Sequence, residues 1–147
     1  MIWAFVSLAL AFPMTFDGGN AVVSLDGLLL KGQRFSWDGS NLHLDGAVSV
    51  AYKELQIESQ NLTLYFDEDR QLLSMSVVGA VVLERNDWKG SADKVLWTKK
   101  EPWITMHGSA NLSNSNLLFQ GSRISFSLDT EQVECEADCS IRVKPKK

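Results

Sequence analysis

Positive charge is scarce in this sequence and comes late. Eighteen acidic residues outnumber fourteen basic ones over 147 positions, the formal net charge is −4, and the first basic side chain is Lys31. Such a chain has no basic face with which to hold nucleic acid, and an anionic membrane surface does not attract it. Histidine is scarcer still. His43 and His107 are the only two, and each falls on the polar parity of its segment, so both are expected on solvated surface. No Gly-x-Ser-x-Gly occurs, and Asp45 and Asp93 stand isolated, without a second group spaced for acid–base work. A hydrolase needs a nucleophile, a base and an orienting group together. None assembles here, so neither an enzyme nor a cofactor is expected. Cysteine is limited to Cys135 and Cys139. With the histidines they would number four zinc ligands, but Cys-x-x-x-Cys on a strand sets its thiols too far apart for one metal. A helical period is also missing: beyond the N-terminus no stretch holds one for three turns.

What is present suits one folded domain. Apolar residues make up 45%, an ordinary globular share, and the length allows a single sizeable core. Residues 2–14 read IWAFVSLALAFPM without a charge. That run is shorter than the roughly 20 residues of a membrane helix and matches the apolar core of a secretory signal. Gly19-Asn20-Ala21 supplies a small-x-small cleavage site, although only the Met1 amine stands where a basic n-region is usual. The expectation is export, with 1–21 a signal peptide and 22–147 the mature domain. An uncleaved N-terminal anchor and a first core strand are the alternatives.

From residue 22 onward the pattern has a period of two, the mark of strands with one wet face. Leu62, Leu64 and Phe66 alternate with Thr63 and Tyr65. Leu73, Met75, Val77, Val81 and Leu83 share a second inner set. Ile104, Met106, Ala110 and Leu112 form a third, and Ile124, Phe126 and Leu128 a fourth. Turn chemistry separates the runs at Asp38-Gly39-Ser40-Asn41, Asp67-Glu68-Asp69, Asn86-Asp87, Lys99-Lys100-Glu101-Pro102 and Asn114-Ser115-Asn116. The fold expected is all-β and antiparallel, with roughly ten or more short strands. In residues 133–143 Val133, Cys135, Ala137, Cys139, Ile141 and Val143 alternate with polar residues. In an unbroken strand residues four apart lie roughly 13 Å from each other, beyond the reach of a disulfide. Two free, buried thiols are therefore expected; a turn at Glu136-Ala137-Asp138 is the other option.

An internal repeat underlies the alternation. Gly46, Gly79 and Gly108 sit mid-strand, and Ala137 is next in the series, at spacings of 33, 29 and 29. Glycine weakens a strand interior, so its recurrence calls for a bend or a close backbone approach in every layer. Units of about 30 residues, each a bent strand pair, stack on one shared core.

The repeat reads Ala-Asp-Lys-Val-x-Trp at 92–97, Ile-Thr-Met-x-Gly-x-Ala-x-Leu at 104–112 and Leu-x-x-Gly-x-x-Ile-x-Phe-x-Leu at 118–128. This pattern resembles the OstA-like domain of the LptA/LptC lipopolysaccharide-transport family, over residues 27–145. The resemblance implies an open, twisted β-jellyroll in the periplasm whose apolar groove shields acyl chains and which bridges inner- and outer-membrane components. Ala137 departs from the glycine expected, and the cysteines lie outside the family pattern. The groove residues expected are Leu64, Phe66, Met75, Val77, Val81, Leu83, Trp97, Ile104, Met106, Leu112, Ile124, Phe126 and Leu128. The partners expected are lipopolysaccharide or a related glycolipid, and other jellyroll transport proteins through edge-strand pairing. Head-to-tail self-association would use 21–30 at one end and 133–143 at the other. An inner-membrane-anchored, LptC-like partner is the alternative within the family, and a closed β-sandwich for adhesion is the alternative outside it.

Overall fold

A computed structural model of the chain describes residues 14–17 and 20–144. Twelve strands, among these residues, form one antiparallel sheet. They are β1 (Met14–Asp17), β2 (Asn20–Leu25), β3 (Leu28–Gly32), β4 (Arg34–Trp37), β5 (Asn41–Tyr52), β6 (Leu55–Phe66), β7 (Leu72–Arg85), β8 (Trp88–Thr98), β9 (Trp103–Ser113), β10 (Leu117–Ser127), β11 (Val133–Glu136) and β12 (Ser140–Val143). The order is a meander, β1-β2-β3-β5-β6-β7-β8-β9-β10-β11. β4 extends the line of β3 along β5, and β12 extends the line of β11 along β10. The central strands are longer than the sequence pattern implied, reaching 14 residues in β7, because each carries two short alternating runs joined across a bulge.

The bulges fall in a row and explain the glycine repeat. Gly46–Ala47 oppose one residue of β6, Gly79–Ala80 one of β8, and Gly108–Ser109 one of β10. In each pair both residues have positive φ: 80° and 46°, 97° and 46°, 84° and 45°. At Gly108 the need for glycine is double. A Cβ there would sit 2.9 Å from the Cβ of Asp93, and φ is left-handed. A two-for-one bulge bends a strand and raises its twist. The row of bulges therefore folds the sheet along a line, and each long strand contributes one half to each of two facing layers.

The turns supply the remaining local logic. Asp26 and Gly27 both have positive φ and join β2 to β3, the type I′ geometry that matches strand twist. Asp67 Oδ1 accepts from the amides of Asp69 and Gln71, and Asn114 Oδ1 from those of Asn116 and Leu117.

Two expectations need correction. Cys135 and Cys139 are not free: they form a disulfide across a Cα separation of 6.0 Å. They are not buried either, Cys135 being half-buried and Cys139 exposed. Ala137 and Asp138 both take positive φ, 66° and 57°, so 133–143 is two short strands with a bulge between them. That bulge is the fourth of the row, and it brings the two sulfurs together. The N-terminal edge also shifts. Residues 21–30 belong to the β2–β3 hairpin rather than to one strand, and β1 covers it. The segment 1–13 of the expected signal lies outside the described residues.

Candidate functional site: the interior between the layers

The inner-facing positions of the central strands are apolar, apart from Ser59 and Arg85, and the two halves of the sheet meet over them. All thirteen expected groove residues lie in this interior, between 0% and 8% exposed. Leu30, Leu42, Leu44, Val50, Leu55, Ile57 and Val95 share it. Of the buried side chains only Ser76 and Ser127 are polar. One detail of parity fails. Leu73 is exposed and Leu72 is buried in its place, because the register slips by one residue between Tyr65 and Phe66. The interior, expected to stand open, is packed by its own side chains.

The strand halves meet across the interior in a crossed manner. β5 ends at Tyr52, and Trp97 is the last residue but one of β8, at the opposite end of the strand ladder, yet their rings lie 5.7 Å apart. Trp88 at the start of β8 meets Phe126 near the end of β10, at 5.2 Å. Two ion pairs also join the layers. Lys99 Nζ lies 2.9 Å from Asp26 Oδ2, joining the β8–β9 turn to the β2–β3 turn. Arg85 Nη1 lies 3.2 Å from Glu131 Oε2, joining the end of β7 to the loop before β11. A surface hollow of about 260 Å³ beside Tyr52, Trp97, Lys99, Pro102 and Leu128 marks where the layers separate. Sequence reasoning missed both ion pairs, since they join residues 46 or 73 positions apart.

The outer face is mostly polar, with Leu29, Leu73, Val78 and Val82 exposed on it, and carries both histidines. His43 is tied by Nε2 to Asp38 Oδ2 at 2.9 Å and by Nδ1 to Thr63 Oγ1 at 3.1 Å. That bond, with the amides of Asn41 and Ser40, holds the Asp38 carboxyl down at about 2. His107 is pushed below its usual value, first by burial and then by Arg123 and Lys94. Each histidine is half-buried rather than solvated. The two sit in different strands, β5 and β9, three strands intervening.

The interior ends differently at its two sides. At β12 the inner parity emerges into solvent, with Ile141 60% and Val143 72% exposed. The apolar surface thus continues past the packed core to the last described strand.

Comparison with known proteins agrees with this architecture. The family model described as "LptA/(LptD N-terminal domain) LPS transport protein" matches residues 32–132. No curated protein matches the chain. A crystal structure of LptH from Pseudomonas aeruginosa, described as the LptA-homologous periplasmic component of the conserved lipopolysaccharide transport device, shares the fold with a TM-score of 0.72. Identity is 12%, and the alignment covers 80% of this chain and 95% of that one. The open, twisted β-jellyroll and the match over residues 32–132 lead to one conclusion: the chain belongs to the LptA/LptD N-terminal-domain family of lipopolysaccharide-transport proteins.

Proposed function

We propose that this protein is an exported, periplasmic carrier that shields the acyl chains of lipopolysaccharide, or of a related glycolipid, between its two layers. The observation that carries the reading is the inner face. It is apolar from β3 to β10 and runs out into exposed Ile141 and Val143. Each methylene removed from water is worth about 0.8 kcal/mol, so a few acyl chains outweigh the local loss of packing when the layers part. Transport then needs only a continuous apolar path and no bond chemistry in this chain.

Continuity comes from the edges. An unpaired edge strand recruits another strand, and a heterologous pairing does not close. The main path holds ten strand positions. With an even number, β1 of a second jellyroll set beside β11 and β12 keeps the antiparallel alternation. The partner is another jellyroll transport protein or a second copy of this chain. Residues 1–21 act as a cleaved signal in this reading. Cleavage after Ala21 would remove β1 and the first two residues of β2, leaving nine strand positions, so that the shortened β2 of a second jellyroll would lie parallel to β11 and β12.

A photo-crosslinker at Met106, on the inner face, tests the carrier reading against the same probe at outward Thr105. The expected result in cells is a lipopolysaccharide adduct at 106 and none at 105. The packed interior also suits a closed adhesion module, which would give no adduct at either position. N-terminal sequencing of the exported protein separates a soluble bridge from an anchored, LptC-like partner.

A further inference from the structure

We propose that Arg85 binds a phosphate group of the carried glycolipid, and that Glu131 holds its place until the ligand arrives. The proposal rests on the carrier reading above and adds where the headgroup is recognised.

Arg85 follows Val81 and Leu83 on the inner parity of β7, both buried. It stands where that apolar run ends. Its side chain is 12% exposed, whereas the other side chains in the six ion pairs are 35–80% exposed. Only one contact satisfies it, the 3.2 Å bond from Nη1 to Glu131 Oε2. Its Nε is buried without a partner. An unsatisfied buried donor on a cation is costly, and its retention at the end of the apolar run of β7 points to a ligand that completes it.

The missing partner has a definite chemistry. A guanidinium presents a planar fork of donors that suits a carboxylate or a phosphate in two-point contact. Glu131 makes one bond and leaves Nε unused. A phosphate monoester offers one oxygen to Nε and another to Nη2, the fork on that side of the guanidinium, and its charge repels the Glu131 carboxylate from Nη1. Glu131 can yield. It sits in the β10–β11 loop with φ 60° and a carboxylate side chain 40% exposed, so on displacement it returns to water. The ligand class follows from position: an anionic group attached close to acyl chains, since the neighbouring inner side chains are apolar.

The test uses the full exported chain and three probes. They are the diphosphorylated, acylated disaccharide of lipopolysaccharide, the same molecule after phosphatase treatment, and inorganic phosphate alone. Arg85→Gln should weaken binding of the phosphorylated lipid about tenfold or more and leave the dephosphorylated one unchanged. Glu131→Gln should strengthen the phosphorylated lipid alone, by about threefold or more. Because Glu131 is in an exposed loop, that variant decides the matter if Arg85→Gln misfolds. Equal preference for phosphorylated over dephosphorylated lipid in wild type and in whichever variants fold overturns the headgroup site and leaves the carrier reading standing. Failure of wild type to bind either lipid overturns both. Arg85-dependent stabilisation by inorganic phosphate, without any lipid preference, overturns the lipid source in favour of free phosphate.

Discussion

Phe126 is 1% exposed and touches Trp88 edge-on, so its side chain is held from both layers. Phe126→Ala should cost about 3–5 kcal/mol of stability, read by chemical denaturation. A loss below about 1 kcal/mol would mean the layers are not packed on each other. His107 gives a pH signature. Burial, then the charges of Arg123 and Lys94, lowers its pKa from 6.5 in the folded state. The unfolded chain therefore binds more protons once the pH falls below about 6.5, and stability drops as the pH moves down through the folded value. Above that window the contribution is fully present. His107→Gln should flatten this part of the Tm-versus-pH curve, and an unchanged slope would assign the acid loss to other groups. The thirteen interior residues were legible one by one from parity, because a strand that buries one face must alternate. Arg85 was not. Its parity matched the apolar set, but its partner lies 46 residues away.

At the scale of the element, the bulge row is the feature that shapes the sheet. Gly108→Val places a Cβ 2.9 Å from the Cβ of Asp93 in a left-handed backbone. Gly39 also has positive φ, yet nothing lies within 4 Å of a Cβ there. Gly39→Ala should cost about 1–2 kcal/mol, the strain of the left-handed region alone. Gly108→Val should cost clearly more, and equal losses would show that the bulge can relax. The fourth bulge lacks glycine and has a disulfide instead. By the loop-entropy model, closing so short a loop is worth about 2 kcal/mol. Cys135→Ser with Cys139→Ser should thus give a folded but less stable protein. Adding Ala137→Gly should restore about 1 kcal/mol, since glycine enters the left-handed region without strain. No restoration would mean that the bulge opens when the disulfide is lost. Spacing in the sequence marked Ala137 as a member of the repeat. It misled about the cysteines, because distance along an unbroken strand ignores the bulge that the repeat itself implies.

For the whole molecule, the proposed end-to-end association is tested at the exposed end of the inner face. Ile141→Lys with Val143→Lys puts two charges on the apolar end of β12 without touching the packed core. Sedimentation across a concentration range should show end-to-end association in the wild type and its loss in the double variant. Identical behaviour of the two would place the contact elsewhere. The sequence by itself determined the all-β class, the run of short strands and the inner face, because these depend on neighbours two residues apart and on turns of a few residues. It also carried the family, through a repeat written into the chain at near-regular spacing. Only the tertiary structure decided what depends on the sheet folding along its bulges. That folding brings Cys135 to Cys139, packs the interior shut, and sets Arg85 against Glu131 and Lys99 against Asp26. The two ion pairs join turns and strand ends 46 and 73 positions apart in the chain. No local pattern encodes them, because they arise from the summed bend and twist of the whole sheet.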